Sequence, residues 1–474
     1  MPISAARRRL SLRSLVLALT LLLAGSPAAL AQPAPSVAGT WQDTLEVGPQ
    51  RLRLVFHIEQ QGDSLTATMD SPDQGATGVP VQRVRVTGDS LHLGLPQIGG
   101  RFDGVIGPDG EAIEGEWTQG GRSFPLALRR TEAATASAPP PRPQHPQPPY
   151  PYDTTTVRVR NEAAGLTLAG TLTLPEGEGP HPAVVLVSGS GPQDRNAEVA
   201  GHKLFHVVSD ALTRRGIATL RYDERGVGAS TGSFAGATTD DFAQDVQVLV
   251  EALAARKEID TDRLGIYGHS EGGLVAPRVA TRSDQVDFLV LLAPPGVPGR
   301  DLIVEQAVRI TEAGGAQGPA VDSVRAVQER IVRAVTEAPD SAAAAERARR
   351  VLEAQGAAGA QVQQQVEQLT SAWYRAFLAY DPLPALRKVD VPTLVLFGEH
   401  DLQVPPDQNR PPIETALRAG ARSDVTVRTV PGVNHLFQPA ETGLPSEYRS
   451  IEATMAPEAL TMIGDWIAEQ TPPK

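Results

Sequence analysis

Polar and apolar positions change rhythm along the 474-residue chain, and each rhythm predicts a different architecture. Over residues 39–130 the apolar positions alternate in short runs, as in Leu52, Leu54, Phe56 and Ile58 and again in Leu91, Leu93 and Leu95. Successive side chains on a strand point to opposite faces, so period two marks strands with one dry face and one wet face. Turn chemistry separates the runs at Gln61-Gly62-Asp63, Gly88-Asp89 and Pro108-Asp109-Gly110. The pattern predicts an all-β domain over 37–131, with about eight antiparallel strands in a small barrel or sandwich.

Prolines then crowd residues 132–153: Pro139-Pro140-Pro141-Arg142-Pro143, then Pro146, Pro148, Pro149 and Pro151. Proline fixes φ and has no amide hydrogen, so this stretch reads as an extended linker. Beyond it, strand patterns at 155–159 and 166–174 lead into largely apolar runs at 183–187, 218–222, 264–267 and 288–292. Helical periodicity fills the gaps at 204–215, 240–255 and 272–281. Strands with no polar face need cover on both sides, which is the parallel sheet of the α/β class, assigned here to 154–474.

The alternation stops at Pro294-Pro295 and resumes at 392–397. Between them, over about 296–386, lie helical stretches rich in Ala, Gln, Glu and Arg that end in Trp373, Tyr374, Phe377 and Tyr380. An insertion at the carboxyl ends of the strands is expected to form a helical lid over a site. Trp373 and Phe377 are the expected substrate-binding residues in an acyl pocket, although their spacing equally suits a seam that packs the lid on the body.

Gly268-His269-Ser270-Glu271-Gly272 sits where the run 264–267 meets a helical pattern. A serine on a strained strand-to-helix turn is pushed out of the backbone, and glycines on either side make room for it. Ser270 is the expected nucleophile, and the backbone N–H of Glu271 half of an oxyanion hole. With 44 glycines in the chain the expression alone is weak, and Gly228-Ala229-Ser230-Thr231-Gly232 also fits it. No helical stripe follows Ser230, which is rejected.

A serine nucleophile needs a base and an acid that orients it, each expected just after a late strand. Residues 394–397 run into Gly398-Glu399-His400-Asp401, and 425–430 run into Pro431-Gly432-Val433-Asn434-His435. Asp401 is the expected acid and His435 the expected base, with Glu399 and His400 as the competing neighbours. The second oxyanion donor is expected from the small-residue loop after the first central strand, through the backbone of Ser190. The charges of Asp223-Glu224-Arg225 read as a structural ion pair and turn.

Composition adds exclusions. The chain is 41% hydrophobic and 21% charged, with a net charge of −12 and no long basic run past Arg13, so no nucleic-acid partner is expected. It has no cysteine, which removes disulfides, thiolate metal sites and cysteine-linked lipids. Its nine histidines form no H-E-x-x-H, and neither a metal nor a cofactor is expected. Arg7, Arg8, Arg9 and Arg13, an apolar run at 15–24 and Ala29-Leu30-Ala31 read as a signal peptide over 1–31, giving a periplasmic or secreted protein without a stable membrane span.

GSGPQDRN, RYDERGVGAS, YGHSEGG, FGEHDLQVP and GVNHLFQ together resemble the secreted bacterial α/β-hydrolase carboxylesterases of the EstD-like kind, across roughly residues 37–470. That resemblance implies an α/β-hydrolase fold behind a β-rich extension. It also implies hydrolysis of short-acyl esters, with Ser270, Asp401 and His435 at the matching motif positions and a small-molecule ester as substrate. Two other readings stand beside it: a serine peptidase or amidase of the prolyl-oligopeptidase-like group, and a binding protein acting through the N-terminal β domain.

Overall fold

The computed structural model describes residues 36–472 apart from 48, 49, 63, 75, 133–139, 358 and 421–423. The expected signal peptide, 1–31, and residues 133–139 of the expected linker lie outside the described residues. The first domain is one antiparallel sheet built from β1 (Gly39–Val47), β2 (Gln50–Gln61), β3 (Ser64–Ser71), β4 (Ala76–Val81), β5 (Arg83–Thr87), β6 (Ser90–Leu95), β7 (Gly100–Ile106), β8 (Ala112–Gln119) and β9 (Arg122–Thr131). In space the order is β4-β3-β2-β1-β9-β8-β7-β6-β5, and the sheet curls until β4 and β5, its two ends, come close. Among the described residues there are thus nine strands rather than about eight. The weak one is β4, whose Gly78 and Pro80 blur its alternation; proline is tolerated there because β4 is an end strand.

Trp41, Phe56, Phe102 and Trp117 fill the interior of this near-barrel and are essentially inaccessible. The Arg130 guanidinium covers Trp41 at 4.4 Å and donates to the carbonyls of Ala38 (2.8 Å) and Ser36 (2.8 Å), closing one end.

The second domain holds β10 (Asp153–Asn161), β11 (Leu166–Leu174), β12 (His181–Val187), β15 (Ala218–Tyr222), β16 (Ile259–His269), β17 (Phe288–Leu292), β18 (Thr393–Gly398) and β19 (Val425–Val430), in the order β10-β11-β15-β12-β16-β17-β18-β19. From β15 to β19 every neighbour is parallel, while β10 and β11 are antiparallel. A two-residue hairpin, β13 (Glu198–Val199) with β14 (His202–Lys203), stands apart after the loop that leaves β12. Every residue of β15, β17 and β18 is buried, Thr219 and Arg221 of β15 included, as strands covered on both faces require. The cover comes from α1 (Leu204–Thr213), α2 (Thr239–Ala254), α3 (Gly272–Ala280) and, after the insertion, α10 (Pro406–Gly420) and α11 (Pro457–Gln470). This is the α/β-hydrolase architecture.

Between β17 and β18 the insertion forms α4 (Gly299–Ala313), α5 (Pro319–Thr336), α6 (Ser341–Glu353), α7 (Ala360–Leu369), α8 (Ala372–Ala379) and α9 (Leu383–Leu386). Val332, Val335, Tyr374 and Leu378 make a small apolar core inside it, while Phe377 on the same helix joins the main core of the domain. Helix α8 therefore belongs to both the lid and the body. Among the described residues no helix is long and apolar enough to cross a membrane.

Candidate active site

Strand β16 ends at His269 and α3 begins at Gly272, so the chain must turn from strand to helix within two residues. Ser270 makes that turn at φ +55°, a backbone region an L-residue adopts only when its surroundings impose it. Its N–H reaches the Leu292 carbonyl at the end of β17 (2.8 Å), and its own carbonyl accepts from Gly273 (2.8 Å). The flanking glycines are required by space: a Cβ on Gly268 would collide with the Gly272 carbonyl, and one on Gly272 with the Val187 carbonyl. The sharp turn and the close packing of strand, elbow and helix are one feature.

Asp401 lies just past β18 and His435 just past β19. His435 Nδ1 donates to Asp401 Oδ2 at 2.8 Å, and both side chains are buried. The other oxygen, Oδ1, accepts the N–H groups of Gln403 (2.9 Å) and Val404 (2.8 Å), so the carboxylate is held at both ends. Glu399 turns elsewhere, accepting from the N–H of Gly432 at 2.8 Å, and His400 stands 3.9 Å from Glu399. Of the three acid or imidazole candidates after β18, Asp401 is the one placed beside His435.

His435 and Ser270 face the same cavity, of about 590 Å³, together with Ser190, Glu271, Trp373 and Phe377. Among the described residues no hydrogen bond joins Ser270 Oγ to His435; such bonds commonly shorten only when substrate is bound. The loop after β12 runs close to Ser270, since a Cβ on Gly189 would stand 3.0 Å from Ser270 Cβ and 3.5 Å from its Oγ. Ser190 follows at the cavity mouth.

Three other side chains hold this geometry. His269 Nε2–H donates to the His435 carbonyl at 2.9 Å, and burial, with His435 nearby, brings the His269 imidazole down to about 3, so it stays neutral. Glu224 accepts from Ser188 Oγ (2.7 Å) and the Gln193 N–H (3.0 Å), tying down both ends of the loop that carries Ser190, and burial pushes its carboxyl up to about 8. Glu271 accepts from Thr239 Oγ1 at 2.6 Å and from Trp373 Nε1 at 2.9 and 3.0 Å. Burial also raises the Glu271 carboxyl, against the pull of these donors and of the Ser190 hydroxyl. Trp373 stacks on Phe377 at 5.5 Å, so the two rings serve as cavity wall and as lid-to-body seam at once.

The Glu271 carboxylate and His269 were not identified from sequence, although an acidic residue directly before the apolar start of a helix was a visible signal for the first. Asp223 pairs with Arg195 through Oδ1 (2.9 Å) and Oδ2 (2.6 Å), and Arg225 with Asp245 at 2.7 Å, as expected of structural charges. Ser230 is buried in its turn, donating to the Asp223 carbonyl at 2.6 Å and accepting from the Ala169 N–H at 2.8 Å.

The family described as serine aminopeptidase, S33, matches over residues 200–441, just over half of the chain and inclusive of Ser270, Asp401 and His435. The chain belongs to this S33 hydrolase family. Esterase EstD of Thermotoga maritima is 27% identical to this S33 member over 281 residues, which are 59% of this chain and 60% of that protein. The chain thus matches 60% of the length of that curated relative. Among solved structures, DcsB in complex with its substrate analogue is 18% identical, covering 68% of this chain and 100% of its own, at a TM-score of 0.43. An esterase of Pyrococcus furiosus is 15% identical, covering 67% and 91%, at a TM-score of 0.43.

Proposed function

We propose that the protein is a serine carboxylesterase acting on short-acyl esters through an acyl-enzyme on Ser270. The observation that carries this reading is the His435–Asp401 pair at 2.8 Å, opening on the cavity into which the strained turn at Ser270 faces. With Nδ1–H given to Asp401, the neutral imidazole keeps Nε2 as an acceptor. Nε2 takes the proton of Ser270 Oγ as the oxygen bonds to the ester carbonyl carbon, and the N–H groups of Ser190 and Glu271 hold the developing oxyanion. His435 then returns the proton to the departing alcohol. A water deprotonated by the same nitrogen attacks the acyl carbon, and Ser270 leaves with the proton back on Oγ. The likeness to Esterase EstD supports the ester as substrate. The stacked Trp373 and Phe377 rings on the lid side of the cavity support a short acyl group. Residues 1–31 are proposed to direct export, with cleavage after Ala31, which N-terminal sequencing of the exported protein checks.

The family's description favours a second reading, an aminopeptidase or amidase. A panel of p-nitrophenyl esters from acetate to palmitate, run beside aminoacyl-p-nitroanilides, separates the two. Turnover confined to the shorter esters supports the esterase; turnover of the anilides alone replaces it.

A further inference from the structure

The described part of the proline-rich segment, residues 140–152, has no helix or strand, but it does not hang free. The Arg142 guanidinium reaches four main-chain carbonyls on two different loops. It donates to Arg449 (2.7 Å) and Ile451 (2.9 Å) on the loop that follows His435, and to Ala200 (3.3 Å) and Gly201 (3.4 Å) at the tip of the β13–β14 hairpin. Two residues on, the Gln144 side chain accepts from the N–H groups of Thr454 (2.6 Å) and Met455 (3.0 Å) and donates to the Met455 carbonyl (2.8 Å). His145 Nε2 accepts the N–H of Lys203 at 3.1 Å. Carbonyls in such loops have no sheet or helix partner, and a planar guanidinium is the side chain able to satisfy several at once.

Both loops are walls of the cavity that holds Ser270. The hairpin contributes Val199 and Ala200, and the later loop contributes Leu436, Pro445 and Tyr448. From Tyr448 the contacts lead to the acid. Its hydroxyl accepts from Gln403 Nε2 at 2.8 Å, and the Gln403 N–H donates to Asp401 Oδ1 at 2.9 Å.

From these contacts we infer that residues 140–145 form a strap bracing two walls of the substrate cavity, and that Arg142 is a positioning residue for the proposed ester hydrolysis, acting through Tyr448 and the hairpin. The inference rests on the esterase reading for its kinetic consequence alone. The strap ties a segment between the two domains to the pocket, so the segment sets pocket shape as well as joining the domains.

The experiment uses the full-length chain with Arg142→Ala, Arg142→Lys, Tyr448→Phe and the Arg142→Ala/Tyr448→Phe double variant. Steady-state kinetics on p-nitrophenyl acetate and butyrate are paired with amide hydrogen exchange over residues 444–456. Arg142→Ala is expected to raise KM about tenfold while kcat falls by less than about threefold, because wall placement rather than the chemistry is lost. Arg142→Lys should show an intermediate effect, since one ammonium cannot bridge both loops. The double variant should be less than additive, because Tyr448 has already lost its fixed position. Exchange over 444–456 should quicken in Arg142→Ala.

Wild-type KM in Arg142→Ala with unchanged exchange over 444–456 would overturn the strap, and so would a loss of kcat and thermal stability with KM unmoved. If the wild type turned over no ester, the esterase reading would fail while the exchange comparison still decided the strap. Should Arg142→Ala fail to fold, Arg142→Lys and Gln144→Ala carry the same comparison, with the same outcomes deciding it.

Discussion

Trp373, on the short helix α8 of the insertion, gives its indole N–H to both carboxylate oxygens of Glu271, at 2.9 and 3.0 Å, and Glu271 is the residue next to Ser270. One buried side chain thus joins the lid to the elbow. Thr239 at the start of α2 donates to the same carboxylate at 2.6 Å. Three separate segments meet at a carboxylate beside Ser270.

Replacing that carboxylate should loosen the pocket before it touches the chemistry. Glu271→Leu keeps the backbone N–H but leaves the Trp373 indole and the Thr239 hydroxyl without an acceptor, at a cost of about 1–3 kcal/mol in stability. KM for esters should rise by roughly fivefold to twentyfold, with a smaller loss in kcat. Glu271→Gln retains an acceptor oxygen and should restore most of both. Thermal melts and kinetics on the two variants check this; equal behaviour of the Leu and Gln variants would refute the latch.

The acid is distinguished from its neighbour by substitution. Asp401→Asn removes the carboxylate that holds the His435 tautomer and should lower kcat by about a thousandfold to ten-thousandfold. Glu399→Gln, at a side chain 56% exposed, should stay within about twofold of wild type. A large loss at Glu399 with activity kept at Asp401 would reassign the acid.

Glu224 sets a slope of stability against pH. Its carboxyl rises from 4.5 to about 8 in the folded protein. The folded chain therefore keeps a proton that the unfolded chain releases between those values. Stability from this group is complete below the unfolded value and is lost as pH climbs through the folded one, by up to about 1.4 kcal/mol per pH unit. Glu224→Gln mimics the protonated acid and should flatten that part of the profile. Denaturant melts from pH 4 to 9 on both proteins measure the difference; parallel profiles would mean Glu224 is not protonated in the fold.

Legibility followed the range of the interaction. The strands β17 and β18 were readable because burial on both faces leaves a nearly continuous apolar run in the sequence. Ser270, Asp401 and His435 could be singled out because each follows a strand of the parallel sheet within a few residues, so local pattern fixes their place. Strand β4 was blurred by Gly78 and Pro80. The Glu271–Trp373 contact spans 102 positions and the Arg142–Arg449 contact 307, and no local rhythm encodes a partner that distant. Residues 140–152 have no helix or strand, and the proline density around Arg142 carried no sign that the guanidinium would gather carbonyls from two loops.

The central claim is a covalent acyl group on Ser270 that His435 helps to form and remove. Rapid mixing with p-nitrophenyl acetate, followed by peptide mass analysis of the quenched protein, tests it most directly. The account predicts a burst of p-nitrophenol close to one equivalent per chain, an acetyl group on the peptide containing Ser270, and neither in Ser270→Ala. Turnover at an undiminished rate in Ser270→Ala, or acetyl found only on another residue, would contradict it.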